Sequence, residues 1–314
     1  MTALPPLVRI GRILGLLVAL TLLPLAGRSA TQPSSAPPMD GSWRALTFTA
    51  TKFTAAITVR LHLEAAAASA DGPTRPAAGQ ADGCPEPGGD EQQLTVVVAS
   101  RGPAMDNRYE ERIWFDPADG RLRARVRRNR IDDPWLKRYC REAAGIRRFK
   151  IEPAGPAEKP QSPAAWSDRE ATFYPFPAEG AGCAPVSDPA LILHLLPRQA
   201  DLRDRPFVSC VFGRQQLHRI TVRSAGSETL RVSYTLGDGD GAQTVTEQLE
   251  APVYALTSEP LPAPGEAAEP FSLLGLRRDI RIHLHPQTLL PLRVSGMAGL
   301  FGTVELNLQQ ATVD

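Results

Sequence analysis

The sequence predicts a mainly β protein built on an antiparallel sheet. Apolar and polar residues alternate with period two along many short runs, 30 prolines and 25 glycines separate these runs, and only one segment begins clearly as a helix. Successive side chains of a strand point to opposite faces, so each run would bury one face of a sheet. The formal net charge of +1 gives no bulk attraction to polyanions, so composition offers no support for nucleic-acid binding.

The first 30 residues resemble a secretory signal peptide. Arg9 and Arg12 precede an apolar run from Ile13 to Ala26, and small residues follow it. This run is shorter than the roughly 20 residues that cross a bilayer core. We therefore assign residues 1–30 to an export signal, with an uncleaved membrane anchor as the alternative, and residues 31–42 to a disordered lead-in. The mature protein is expected in the periplasm without a stable membrane span.

Residues 43–314 are interpreted as a single β domain. The alternation from Ile57 to Leu63 predicts a strand that belongs to the first strand pair. Residues 65–90 are rich in Ala, Gly, Pro and Asp, and this composition predicts a long loop. Leu94–Ala99 is rich in β-branched residues, which is typical of a buried strand. If the domain divides into two β subdomains, the Pro-rich stretch near 152–165 is where the boundary would fall.

Two segments favour helix. Pro134–Cys140 is expected to form a short one. The clearer start is Ser187-Asp188-Pro189, with serine as N-cap and proline near the first helical position. The helix over 188–196 is apolar on most of its circumference, so we expect it to be buried against the sheet.

The remaining chain predicts strands separated by Gly-rich turns and Pro-rich loops. The C-terminal meander, from Asp279 to Gln309, is the most regular part, with breaks at Pro286 and at Gly296–Gly302. The strands expected before it are Phe207–Phe212, Leu217–Ser224, Thr229–Leu236 and Thr244–Leu256.

An arginine row is the strongest candidate for a ligand-binding surface. Arginines alternate with apolar residues after the turn at Asp116–Gly120, and residues 101–150 hold 15 Lys and Arg against 8 Asp and Glu. Planar guanidinium groups bind phosphates well, so the row could hold anionic lipid head groups. The alternative is a solvated strand face that keeps a sheet edge unpaired. The four residues are Arg121, Arg123, Arg125 and Arg127.

The other candidate groups give weaker signals. No zinc or redox spacing joins the four cysteines. In a periplasm they would form two disulfides with three open connectivities, and Cys84 with Cys183 is the preferred pair because both lie in Gly/Pro-rich loops. His283 and His285 share one strand face, and we interpret them as solvent-facing residues and not as a metal site. The sequence contains no GxSxG, HExxH, P-loop or GxGxxG motif, and no cofactor is expected.

Three stretches resemble the exported bacterial family called domain of unknown function 3108. They are the strand pair around Phe53–Leu63, the 188–222 region with its Asp-Pro-Ala-Leu helix start, and the ending from Ile282 to Leu306. The chain departs from the family in having Ala55-Ala56 where glycine is usual. The resemblance implies a curved antiparallel sheet, half-barrel or barrel, in an exported protein of a Gram-negative bacterium. It implies no activity.

The functional expectation is therefore a non-catalytic binder of a lipid or another apolar envelope ligand. A curved sheet with an aliphatic inner face and a covering helix could hold such a ligand. The alternative is an envelope scaffold or assembly factor that binds a protein partner. An enzyme is disfavoured because no nucleophile, base and metal set converges in the sequence.

Overall fold

A computed structural model describes residues 42–66, 90–102, 105–129, 131, 133–176, 183–199, 202–261 and 267–313. The expected signal peptide (1–30), nearly all of the lead-in and most of the 65–90 loop lie outside these residues. The described part contains fifteen strands: β1 (Ala45–Lys52), β2 (Ala55–Ala65), β3 (Gln92–Gly102), β4 (Met105–Phe115), β5 (Leu122–Asn129), β6 (Trp135–Arg141), β7 (Gly145–Glu152), β8 (Asp168–Pro175), β9 (Val186–Ser187), β10 (Phe207–Phe212), β11 (Leu217–Leu236), β12 (Gln243–Leu261), β13 (Arg278–Leu284), β14 (Pro291–Met297) and β15 (Thr303–Thr312).

All described strands belong to one sheet, and the fold is mainly antiparallel β as the sequence predicts. The spatial order runs β8 to β1, then β15 to β9. Each strand thus pairs with its neighbours in sequence, β1 pairs with β15, and only β8 and β9 lack a mutual pairing. This is the cyclic order of an up-and-down barrel that is open at one junction. Strands β7 and β8 pair with each other across the Pro-rich stretch near 152–165.

The C-terminal half of the sheet closes on itself. Strand β11 is one continuous strand with an irregularity between Ser224 and Ser227, where the sequence suggested two separate strands. Its far end pairs in parallel with β15, through Thr235 opposite Gln310 and Leu236 opposite Ala311. Strands β11 to β15 are therefore joined in a ring of pairings, which these two residue pairs close.

The predicted buried helix forms and packs into the interior. Two 3₁₀ turns, Pro189–Leu191 and Leu196–Arg198, flank the α-helix α1 (Ile192–Leu195). Asp188, and not Ser187, is the N-cap, because its side chain accepts a hydrogen bond from the Ala190 N–H at 2.8 Å. The Trp43 indole donates to the Leu193 carbonyl at 3.3 Å.

The core is one apolar cluster that joins both halves of the sheet to the helix. Its largest fully buried members include Trp43, Phe48, Phe115, Phe212 and Leu191. Beneath the helix lies the predicted turn that ends at Gly120, which has φ of +70°, and a Cβ there would stand 2.6 Å from a Leu195 methyl group. The positive φ favours glycine at this position, and a larger residue would also displace the Leu195 side chain.

The helix predicted at Pro134–Cys140 is wrong. This segment is β6, which pairs in continuous register with β5 on one side and β7 on the other. Seven residues can satisfy few backbone groups as an isolated helix, whereas a central strand satisfies nearly all of them. Tertiary pairing therefore overrides the local preference.

Candidate functional site

The arginine row divides into residues with different surroundings. Arg121 pairs with Asp119 at 2.6 Å, and Arg123 lies 3.3 Å from Asp116, so both have carboxylate partners at the turn before β5. Both side chains are about 40% exposed, and exposed pairs of this kind contribute little to stability. These two arginines fit the alternative interpretation of a solvated face.

Arg125 is buried, and its side chain is 2% exposed. Its guanidinium donates to the Asp188 carboxylate at 2.9 Å and to the carbonyls of Phe212 at 3.0 Å and Gly213 at 2.7 Å. It also stacks on the Tyr139 ring, 4.1 Å from the centroid. The group therefore links β5 to the segments beside β9 and β10, across the open junction of the sheet. Arg125 is therefore not a solvated residue, and its guanidinium is not available to bind a phosphate.

Two carboxylates balance the buried arginine. Glu111 Oε1 lies 3.4 Å from the Nε atoms of both Arg125 and Arg127. Burial, together with the Glu111 charge, raises the pKa of Asp188 to about 6, while Arg125 acts in the opposite direction. The Arg125 Nε makes no hydrogen bond within the described residues, but both terminal nitrogens of the guanidinium are hydrogen-bonded and two carboxylates offset its charge. We interpret this buried group as structural.

A cationic cluster, formed by Arg127, Lys137 and Arg214, lies beside this buried group. Arg127 on β5 is directly opposite Lys137 on β6, and Lys137 is opposite Lys150 on β7. Lys150 is neutralised by Glu152 at 2.6 Å. Within the described part of the chain, Lys137 and Arg214 have no carboxylate partner.

The environment of Lys137 is unusual for a lysine. Its side chain is partly buried, and its ammonium lies 4.4 Å from the centroid of the Trp135 ring. Burial, followed by the charges of Arg127, Arg214, Lys150 and Arg148, lowers the pKa of Lys137 to about 8. Like charges opposite each other on neighbouring strands are destabilising, so folding alone gives no reason for this arrangement.

A small cavity opens beside the cluster. It has a volume of about 80 Å³ and is lined by Arg127 and Arg214, but not by Lys137, and the buried Arg125, Glu111 and Asp188 also line it. Arg214 lies in the turn after β10, and Arg125 holds the adjacent Gly213 carbonyl at 2.7 Å. The alternation Trp135-x-Lys137-x-Tyr139 could have indicated Lys137 from sequence, had β6 been identified as a strand. No sequence signal indicates Arg214.

A second, larger feature is a groove between β12 and the segment before β13. Strand β12 pairs with β13 only from Val253 to Leu256, but continues along β11 to Leu261. The space where the two strands diverge has a volume of about 810 Å³. Its lining includes the apolar Leu256, Phe271 and Ile280 and the exposed Arg277 and Arg278.

The two histidines of β13 and its following turn do not face solvent, so that interpretation is wrong. His283 is 1% exposed and His285 is 6% exposed. The long β11–β12 hairpin supplies their partners, with Glu228 at 3.0 Å from His283 Nε2 and Glu247 at 3.2 Å from His285 Nε2. Among the described residues, no group of three or more metal-ligating side chains is assembled.

The His285 ring holds the turn after β13. Its Nδ1 accepts the backbone N–H groups of Gln287 at 3.2 Å and Thr288 at 3.0 Å, so Nε2 must carry the proton that it donates to Glu247. Burial lowers the pKa of His285. The ring therefore stays neutral, with Nδ1 as the acceptor and Nε2 as the donor.

The cysteine pairing differs from the preferred one. Cys183 forms a disulfide with Cys210, with 5.2 Å between the Cα atoms, so the Cys84–Cys183 pair is wrong. Strand β9 follows Cys183 and runs parallel to β10, with Val186 opposite Cys210, and this pairing brings the two cysteines together. Cys140 is also disulfide-bonded, while Cys84 lies outside the described residues.

Comparisons with known proteins add little. No family model matches the sequence, and no curated protein matches it. One solved structure is similar, the β-barrel-like protein of domain of unknown function 1849 from Brucella abortus, with 8% identity and a TM-score of 0.40 over 87% of this chain and 98% of that one. The name of the matched protein assigns it no function. Its family differs from domain of unknown function 3108, so the resemblance of this chain to that family stays a hypothesis. None of the helices in the described ranges has the length and apolar character needed to cross a bilayer.

Proposed function

We propose that the protein is a non-catalytic binder of an anionic amphiphile, such as a lipid with a single acyl chain, in the bacterial periplasm. The observation that carries this proposal is the groove between β12 and β13. Its volume of about 810 Å³ falls within the roughly 300–1,000 Å³ of small-molecule sites. The apolar groove residues that are exposed to an acyl chain are Ala268 and Pro270, since Leu256, Phe271 and Ile280 are only 2–7% exposed.

The rim of the groove supports an acidic head group. Arg277 and Arg278 are exposed and have no side-chain hydrogen bond or ion pair within the described residues. Arginine is weakly hydrated and offers a planar fork to a carboxylate or phosphate. The apolar ligand would therefore bind outside the packed interior, in contrast to the expectation that the inner face and the 188–196 helix enclose it.

The proposed compartment rests on the cysteines and the N-terminal sequence. Cys183, Cys210 and Cys140 are all in disulfides, and such bonds persist mainly in secreted and periplasmic proteins. This agrees with an export signal at residues 1–30. Expression with the native N-terminus, followed by mass spectrometry of the periplasmic fraction, tests the compartment: a cytoplasmic, reduced protein would contradict it.

Ligand binding is tested with the fluorescent fatty acid cis-parinaric acid. Ala268 is exposed and lines the groove, so Ala268→Trp should fill it and weaken binding at least about tenfold. The matched control is Ala164→Trp, at an exposed alanine elsewhere, which should bind as the wild type does. Equal binding by both variants, or no binding by the wild type, would refute the groove as the site.

The head-group part of the proposal has its own test. The double variant Arg277→Glu/Arg278→Glu should bind a fatty acid about tenfold more weakly or worse. It should bind the fatty alcohol of the same chain length almost unchanged, because the alcohol has no charge. If both ligands lose affinity equally, the arginines only shape the groove.

An envelope scaffold that binds a protein partner is the second candidate. It is favoured by the edge of β8, which among the described strands pairs with β7 alone and could accept a partner strand. A photo-crosslinker at Phe173, which is 37% exposed, would report such a partner in intact cells. A crosslinked protein there, together with an empty groove, would favour this candidate over the lipid binder.

A further inference from the structure

The cationic cluster is separate from the groove and needs its own explanation. Three strands bring Arg127, Lys137 and Lys150 directly opposite one another, and opposed like charges cost free energy. A folded protein that keeps such an arrangement gains from it when an anion binds. We propose that Arg127, Lys137 and Arg214 form a binding site for a phosphate group.

The carboxylates of this region neutralise only part of the positive charge of the cationic cluster. Glu152 neutralises Lys150 at 2.6 Å, and Glu170 neutralises Arg148 at 2.5 Å. Glu111 lies 3.4 Å from Arg127, but it is shared with the buried Arg125. Lys137 and Arg214 have no carboxylate in the described part of the chain. The cluster therefore carries an excess of positive charge that a doubly charged anion would balance.

Neighbouring groups hold two of the three cations in place. Arg127 lies 3.4 Å from Glu111 and over the Tyr109 ring, 5.6 Å from its centroid. Lys137 lies against the Trp135 ring, 4.4 Å from its centroid. The Arg214 side chain is exposed, and the fold places only its backbone, through the Gly213 carbonyl that Arg125 holds. Arg127 and Lys137 therefore need little further ordering to bind an anion, whereas Arg214 is ordered when the anion binds.

The size and chemistry of the site favour a single tetrahedral anion. Arg127 and Arg214 line a cavity of only about 80 Å³, together with Arg125, Glu111 and Asp188 but without Lys137. This volume is too small for a whole amphiphile. Arginine forks suit phosphate oxygens, and lysine adds a point charge. The phosphate could be free or carried on a lipid head group, since both present the same oxygens at the protein surface.

Titration calorimetry with inorganic phosphate, on the full chain after export, tests the proposal. Lys137→Gln and Arg214→Gln should each weaken binding about tenfold, as expected for the loss of one charge-assisted contact. Arg231→Gln is the matched control, because Arg231 is exposed and unpaired within the described residues, and it should bind as the wild type does. Ala268→Trp should also retain phosphate binding, which separates this site from the groove.

A second measurement tests the site through proton uptake by the wild type, with Lys137→Gln as its control. The neighbouring cations lower the pKa of Lys137 to about 8, so a bound phosphate should raise it. Binding at pH 8 should then take up protons, seen as a dependence of the binding enthalpy on the ionisation enthalpy of the buffer. Lys137→Gln should abolish most of this uptake.

Vesicles distinguish the two sources of phosphate. If inorganic phosphate binds, the site takes the free anion. If only phosphatidylglycerol vesicles bind, and phosphatidylcholine vesicles do not, with the same sensitivity to Lys137→Gln, the site takes a lipid head group. If neither binds, or if Arg231→Gln weakens binding as much as Lys137→Gln does, the proposal is overturned.

Discussion

Arg125 and Arg127 are two residues apart on the same face of β5, yet they belong to different regions. Arg125 is 2% exposed, and its donors meet a carboxylate and two backbone carbonyls. Arg127 shares one carboxylate and faces Lys137 across the sheet. In the buried group every charge has a fixed partner, whereas the cationic cluster leaves charges unbalanced. The first arrangement serves the fold, and the second suits a ligand.

The largest expected effect comes from breaking the buried group. Arg125→Met leaves Asp188 buried without its counter-charge and leaves Glu111 with Arg127 alone, and we expect it to lower the free energy of unfolding by about 3–5 kcal/mol. The measurement is urea unfolding at neutral pH. Arg123→Met, in the same strand, removes an arginine that is 42% exposed and should cost about 0–1 kcal/mol. Similar losses from both variants would mean that Arg125 is not the link across the open junction.

The second prediction concerns the pH dependence of stability, which tests whether water reaches the buried His194 and His218. Burial lowers the pKa of His194 and of His218 to about 4, below the value of about 6.5 in an unfolded chain. Between these values the unfolded state binds more protons, so stability is full above pH 6.5 and falls as pH decreases towards 4. Acidification to pH 5 should cost about 2 kcal/mol per histidine.

A histidine variant isolates this effect from other titrating groups. The raised pKa of Asp188 acts in the opposite direction, since it favours the folded state as pH falls through about 6. His194 makes edge-to-face contacts with Trp43 and Phe115, which His194→Phe should retain. Unfolding of this variant at pH 7 and pH 5 should show a loss smaller by about 2 kcal/mol. An unchanged pH dependence would indicate that water reaches the ring.

The smallest expected effect concerns the cationic cluster. Lys137→Met removes a charge that has no carboxylate partner among the described residues and that faces two other cations. The free energy of unfolding should change by no more than about 0.5 kcal/mol, in either direction. A loss of more than about 2 kcal/mol in urea unfolding would place Lys137 among the structural charges and remove the contrast with Arg125.

Much of the fold could be predicted from sequence because the relevant signals are local. The C-terminal meander has a period-two pattern that only a one-sided strand satisfies, and β13, β14 and β15 form there. The helix start depends on the capping side chain of Asp188 and on the Pro189 ring. The predicted N-cap, Ser187, is one residue before the observed one. Segment Pro134–Cys140 was assigned wrongly because its seven residues have no strong preference until β5 and β7 flank it.

The sequence by itself determined the alternation of the strands and the turn glycine at Gly120. Of the four arginines predicted on one strand face, Arg121 precedes β5, and the β4–β5 register is irregular between Leu122 and Ala124. Only the tertiary structure decided what that row does. Glu111, Asp188 and the Phe212 carbonyl come from β4, from the residue before the helix and from β10, and they converge on Arg125 only when the sheet curves around the core. The same curvature buries His283 and His285 beneath the long hairpin and brings Arg214 to Lys137. Burial and charge pairing depend on distances between segments far apart in the chain, and no local pattern encodes those distances.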